Sequence, residues 1–245
     1  MAAVLAFALT GCRETVKLPF RKDPQVSVVK KTPEFIKIRA KAPCDVHYTQ
    51  GDRLEVRLVG ERRAIDAIAL SVDKGTLIIG TTGKYKLTHM NADFDCDIYV
   101  TSPDLVDVEL AGVGDFIASG HIDTDKLTID LRGVGDLKMA DIICDRADIS
   151  QRGTGDIDIN KLQAQVAVVE HTGIGDVEVG LFRVGETRLG LKGVGDIDAR
   201  FTQCGRVECD LKGVGSVSLE GDVRSLRQSN KGVGDIDTDE LRVGR

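Results

Sequence analysis

Tryptophan is absent from this 245-residue chain, tyrosine occurs only at Tyr48, Tyr85 and Tyr99, and aromatic residues make up 4%. Aromatic platforms for sugar rings are therefore scarce, which argues against a polysaccharide-cleaving cleft. No apolar run comes near the roughly 20 residues that carry a helix across a bilayer. The six cysteines (Cys12, Cys44, Cys96, Cys144, Cys204 and Cys209) contain no C-x-x-C pair, so the common zinc spacing is missing. The four histidines (His47, His89, His121, His171) show no ligand spacing, and no nucleophile stands in a pattern with a base. These absences predict a chain with no catalytic residues, no metal site and no cofactor. Positive charge is short as well, with a net charge of −6. Residues 1–100 carry 16 basic and 12 acidic side chains, a balance of +4; residues 101–245 carry 17 and 27, a balance of −10. So acidic a surface repels phosphate and excludes a nucleic-acid partner.

Glycine, by contrast, is abundant at 27 residues, and much of it falls in one motif. AGVGDFIA, RGVGDLKM, RGTGDIDI, TGIGDVEV, KGVGDIDA, KGVGSVSL and KGVGDIDT begin at Ala111, Arg132, Arg152, Thr172, Lys192, Lys212 and Lys231. Their glycine pairs are Gly112 and Gly114, Gly133 and Gly135, Gly153 and Gly155, Gly173 and Gly175, Gly193 and Gly195, Gly213 and Gly215, and Gly232 and Gly234. Self-similarity with a period of about 20 residues marks a solenoid. A phosphate loop is needed once per site and is followed by a helix. Here there are seven copies, and each leads into D-I-D-I-type alternation, which is a strand pattern.

One repeat, TIDLRGVGDLKM from Thr128 to Met139, shows the logic. Ile129 and Leu131 share one face, Thr128, Asp130 and Arg132 the other; beyond the glycines, Leu137 and Met139 alternate with Asp136 and Lys138. Two half-buried strands thus meet at a corner that glycine makes accessible through positive φ. No such coil buries its apolar face alone; stacking does. The fold expected is all-β, a right-handed parallel β-helix with about 20 residues per coil. Left-handed hexapeptide and calcium-binding nonapeptide solenoids require periods that are absent here.

The N-terminus, MAAVLAFALTGCRE, holds a ten-residue apolar run at 2–11, the length of a signal h-region. LTGC resembles a bacterial lipobox, in which the peptide is cut before the cysteine and lipid is attached to it. The resemblance implies a signal peptide at 1–11, lipid on Cys12 and a tether at 12–32. No basic stretch precedes the apolar run, which leaves open whether Met1 is the natural start or whether it lies upstream. From Arg13 to Lys41 nine basic and three acidic residues form a basic tether. Arg13 follows Cys12 where an inner-membrane retention signal would place aspartate, which points to the outer membrane. Strand parity puts Cys44, Cys96 and Cys209 on apolar faces; an oxidising envelope would permit a Cys44–Cys96 disulfide.

Residues 26–41 and 43–60 read as strands around a Gln-Gly-Asp turn, 61–74 as partly helical, and 75–80 and 94–101 as strands again. The expectation is one domain over 33–245, with irregular coils and a cap at 33–105 and regular coils at 106–245. PEFIKIRAKAPCDVHYTQGD, DKGTLIIG, CDIYVTSPDLVDVELAGVGD and the recurring GxGD corners, in that order, resemble the family of putative auto-transporter adhesins with a head GIN domain, found in Bacteroidetes envelopes. This resemblance, over about residues 33–240, implies a β-helix without a recognisable catalytic site and a role in adhesion. The chain departs from the family in having Val or Ile between the glycines where Ser is frequent, and Ser216 in place of one aspartate.

The fourteen glycines are read as structural corners. Asp115, Asp136, Asp156, Asp176, Asp196 and Asp235 form a ladder, expected to accept nearby corner N–H groups; a cation-binding stripe is the alternative. Asp158, Glu178, Asp198 and Asp237 add a second acidic column, and Arg132, Arg152, Lys192, Lys212 and Lys231 a basic one. Gln151, His171 and Asn230 fall in the inward register held elsewhere by Leu131, Leu191 and Leu211, and need partners there. The function expected is that of a non-catalytic envelope lipoprotein, a rod offering a surface to a protein or glycan partner. A polysaccharide-acting enzyme, or a lipid or small-ligand binder, is the alternative; the latter needs a pocket, which a filled narrow core would not leave.

Overall fold

The structure, a computed structural model, describes residues 25–83 and 95–244. Cys12, the leader, Tyr85 and His89 lie outside the described residues. Among the described residues, twenty strands and one short helix form a β-solenoid of about seven turns with roughly 20 residues per turn. The regular coils run from β8 (Asp107–Leu110) and β9 (Phe116–Asp123) through β10 (Lys126–Leu131), β11 (Leu137–Ile143), β12 (Arg146–Gln151), β13 (Ile157–Gln163), β14 (Val166–His171), β15 (Val177–Phe182) and β16 (Glu186–Leu191). Two long bent strands, β17 (Ile197–Leu211) and β18 (Val217–Asn230), each serve two sides of a coil, and β19 (Ile236–Asp237) and β20 (Leu241–Val243) end it.

Two parallel ladders result. β8, β10, β12, β14 and β16 stack in register and continue into the second halves of β17 and β18. β9, β11, β13 and β15 stack likewise and continue into the first halves. Between the ladders, the residue between each glycine pair makes a single parallel bridge to the coil above, from Val113 through Val134, Thr154, Ile174, Val194 and Val214 to Val233. Inward residues stack in columns: Ile129, Ile149, Val169, Leu189 and Cys209 follow one another in register, and all are buried. Each such side chain contributes about 1.5–3 kcal/mol by leaving water, and only because a neighbouring coil covers it.

The N-terminal coils do not stack in chain order, as a simple run of earlier coils would. β2 (Lys37–Ala40) and β3 (Asp45–Gln50) pair with β8 and β9 on one side. On the other side they pair with β6 (Thr76–Thr81) and β7 (Cys96–Ser102), which come later in the chain. The coil at 37–50 is therefore threaded between 76–102 and 107–123. β4 (Glu55–Glu61) closes the end antiparallel to β7, and β1 (Gln25–Lys30) lies antiparallel to β4, so residues 25–30 of the expected tether are sheet. The segment read as partly helical is α1 (Arg62–Ala67) followed by β5 (Ile68–Asp73), antiparallel to β6. A single apolar core runs from Phe35 to Val223.

Candidate functional site: the glycine corner

Each corner needs glycine twice, for different reasons. The second glycine takes positive φ: 131° at Gly155, with the other six between 125° and 140°. The first glycine does not. Its demand is close approach: a Cβ on Gly173 would lie 2.2 Å from the Gly153 carbonyl oxygen, and the rest of the column is equally tight. The expectation that positive φ explains the first position is corrected accordingly; coil stacking excludes a side chain there.

The aspartate ladder is built differently from the expected local corner bond. From Asp45 to Asp196, each Oδ1 accepts the main-chain N–H of the corresponding residue one coil on, whereas Asp235, in the last coil, lies beyond the end of this chain of bonds. Asp115 donates to Asp45 at 2.8 Å, Asp136 to Asp115 at 2.8 Å, Asp156 to Asp136 at 3.0 Å, Asp176 to Asp156 at 2.8 Å and Asp196 to Asp176 at 2.8 Å. Ser216 donates to Asp196 at 2.6 Å. The column is thus a chain of charge-assisted bonds stitching coil to coil. Asp45 starts it, a member that the GxGD pattern does not reveal because its corner reads APCD. Among the described residues, no cluster of three or more metal-ligating groups is arranged to hold an ion. In the second acidic column, burial, with Asp196 and Glu178 nearby, raises the Asp198 carboxyl above its ordinary range.

Gln151 and His171 are fully buried under the corner. Gln151 Nε2 donates to the carbonyls of Gly155 and Ile174, both at 3.0 Å, and its Oε1 accepts the Gly173 N–H at 3.0 Å. His171 Nδ1 lies 2.6 Å from Gln151 Oε1. Burial holds the His171 pKa below its ordinary value, against the pull of the Val194 and Gly175 carbonyls. Asn230 does not go inside: it is exposed in the last full coil, where it bonds Gly234 O and Gly232 N. The cysteines at 44, 96, 144, 204 and 209 are buried free thiols, so Cys44 and Cys96 are not paired. Burial raises the Cys96 thiol to about 12 and Cys44 higher still. Tyr99 is no open sugar platform: His47 stacks on it at 4.8 Å and Arg57 lies over it at 4.6 Å.

A prominent surface feature lies on the outside of these corners. Val113, Val134, Ile174, Val194, Val214 and Val233 are each at least 50% exposed and form one column, interrupted only by Thr154. Beside it stands the basic column. The glycines between have no side chains, so the two columns wall a groove of about 970 Å³, running from Lys41 and Pro43 to Val194. A filled core therefore does not leave the molecule without a ligand-sized concavity; the concavity is external. Its lining includes Lys41, Arg132, Arg152 and Lys192 but no acidic and no aromatic side chain. Arg132 and Arg152 both lean on Asp130, at 2.5 and 2.8 Å, and Asp130 is itself only 10% exposed, hidden behind them.

The fold and the groove together define the class: a parallel β-solenoid of about seven turns with an external concavity along its glycine corners. Residues 34–182 match the family model described as putative auto-transporter adhesin, head GIN domain, and the chain belongs to that family. No curated protein matches it. A putative adhesin from Bacteroides fragilis is 29% identical, with a TM-score of 0.78 over 87% of this chain and 96% of its own. Two Parabacteroides distasonis structures share the fold. One is a putative adhesin at 16% identity and TM-score 0.69, covering 88% and 98% of the two chains. The other is a putative lipid binding protein at 17% and 0.58, covering 90% and 97%. The family and these neighbours are described as adhesins or binding proteins, not enzymes, and point to the cell envelope or surface.

Proposed function

We propose that the protein is a non-catalytic envelope lipoprotein: a β-helical rod, anchored by lipid on Cys12, that presents the corner groove to a partner at the outer membrane. The observation carrying this reading is the exposed apolar column beside a cationic one, on a rod whose other outward strand positions are mostly polar. An apolar row of this length is expensive to leave in water and marks an interaction surface. LTGC and the basic segment from Arg13 to Lys41 support the anchor. Several acyl chains on one residue exceed what stable membrane attachment requires. The groove's lack of carboxylates and aromatics weighs against glycan cleavage there.

Two measurements test this. Cys12→Ser should move the protein from the membrane to the soluble fraction; a variant that still pellets after a salt wash removes the anchor. The described native cysteines are all buried, so Ile174→Cys adds an exposed thiol in the groove. It should react with a maleimide in the purified protein and be protected in native envelopes. Equal reactivity in both would mean that nothing occupies the groove.

A further inference from the structure

We propose that the groove binds a single-chain anionic amphiphile, its acyl chain laid along the column from Val113 to Val194 and its acidic head against the wall formed by Lys41, Arg132, Arg152 and Lys192. This rests on the groove being an interaction surface and goes on to name the occupant.

Length, charge and the absence of competing main-chain groups converge on that class. From Val113 to Val194 the column makes four inter-strand steps, about 19 Å. A bilayer's hydrocarbon core of about 30 Å holds two tails end to end, so one tail is about 15 Å and fits the column with room for a head. The volume of about 970 Å³ lies at the upper end of small-molecule sites. One wall is apolar and the other cationic, and the acids that balance the arginines are tucked behind them. On the far side of the valines stand Asp115, Asp136, Asp156, Asp176 and Asp196, which turn an acidic head toward the cationic wall. The same carboxylates would repel a flat anionic membrane, and one row of side chains is narrower than the face an interfacial segment buries. An extended peptide finds no free ladder either. The corner N–H groups are spent between coils, as in Thr154 N to Gly133 O at 2.9 Å and Gly135 N to Thr154 O at 3.0 Å.

The probe is palmitate below its micelle-forming concentration, titrated calorimetrically into the full chain carrying Cys12→Ser, so that no attached lipid competes. Thr154 shows that threonine fits this register, so Val134→Thr with Ile174→Thr and Val194→Thr should leave the fold intact, which circular dichroism and the melting temperature verify. We expect one site per chain, weakened by about tenfold in the threonine variant through lost apolar contact. Lys41→Gln with Lys192→Gln should weaken palmitate more than hexadecanol. No saturable palmitate binding, or equal affinity in the threonine variant, would overturn the proposal. Flotation with phosphatidylglycerol vesicles that palmitate does not compete away would overturn it in favour of membrane docking. If palmitate fails while Ile174→Cys remains protected in envelopes, the interaction surface stands and its partner is a macromolecule.

Discussion

Gly155 answers two constraints with one hydrogen atom. Its φ of 131° disfavours any L side chain, and an added Cβ would lie 2.2 Å from the Gly135 carbonyl oxygen. Gly155→Ala should therefore cost about 2–4 kcal/mol, combining backbone strain with overpacking. Gly120 has no positive φ, and nothing lies within 4 Å of where its methyl group would sit. It should accept alanine within about 0.5 kcal/mol. Urea unfolding of the two variants checks the contrast. His171 carries a different prediction. Its folded pKa lies below the ordinary histidine value, chiefly through burial, whereas the unfolded chain titrates near about 6.5. Above that pH both states are neutral and the contribution is complete. As pH falls through it, the unfolded chain takes the proton first, and stability drops until the folded pKa is reached. The native urea midpoint should thus fall as pH is lowered from above to below about 6.5, and His171→Leu should flatten that fall. Leucine already fills this column at Leu131, Leu191 and Leu211, so the substitution suits the core; an unchanged pH slope would show that His171 is not its source.

At the scale of the coil, the aspartate column is a seam. Asp176→Asn keeps the Oδ1 acceptor for the Asp196 N–H and removes like-charge repulsion, so stability should hold within about 0.5 kcal/mol or rise. Asp176→Ala leaves that N–H without its acceptor and should cost about 1–3 kcal/mol. Calcium at millimolar concentration should move the melting temperature of neither; a large shift in the native protein, lost in Asp176→Asn, would make the seam a metal site. Much of this element is legible in the sequence. Period-2 alternation on both sides of each glycine pair yields the strands and their inward columns, and the 20-residue step yields the stacking. What the alternation does not encode is which coil lies below. Hence it assigns the Asp carboxylates to their own corner rather than to the next, and passes over Asp45. The valine column is readable in principle: parity places Val134 on the outward face with Arg132 and Asp136. It escapes notice because a β-branched residue between glycines reads as part of the turn. The same parity puts Asn230 inside, but the coil that would cover it ends at β19 and β20.

Over the whole molecule, protection should be uneven. Ser225–Asn230 pairs with β17 but lacks a following strand on its other edge, since β19 and β20 cover only Val217, Ser218 and Gly221–Val223. Amide exchange should run fastest in the final coil and slowest around β10 to β15, where each strand is held from both sides; uniform protection would indicate a single cooperative unit. The opposite end behaves otherwise, because the coil at 37–50 is clasped by later strands on both sides. Nothing in the regular section depends on that clasp beyond a matching face. A whole 20-residue unit could be duplicated or lost between β10 and β16 without altering any contact of the clasp or of the final turn. Rod length is then an inheritable quantity that changes in increments of one rung, about 4.8 Å. The length of the rod could be reset by a single in-frame duplication.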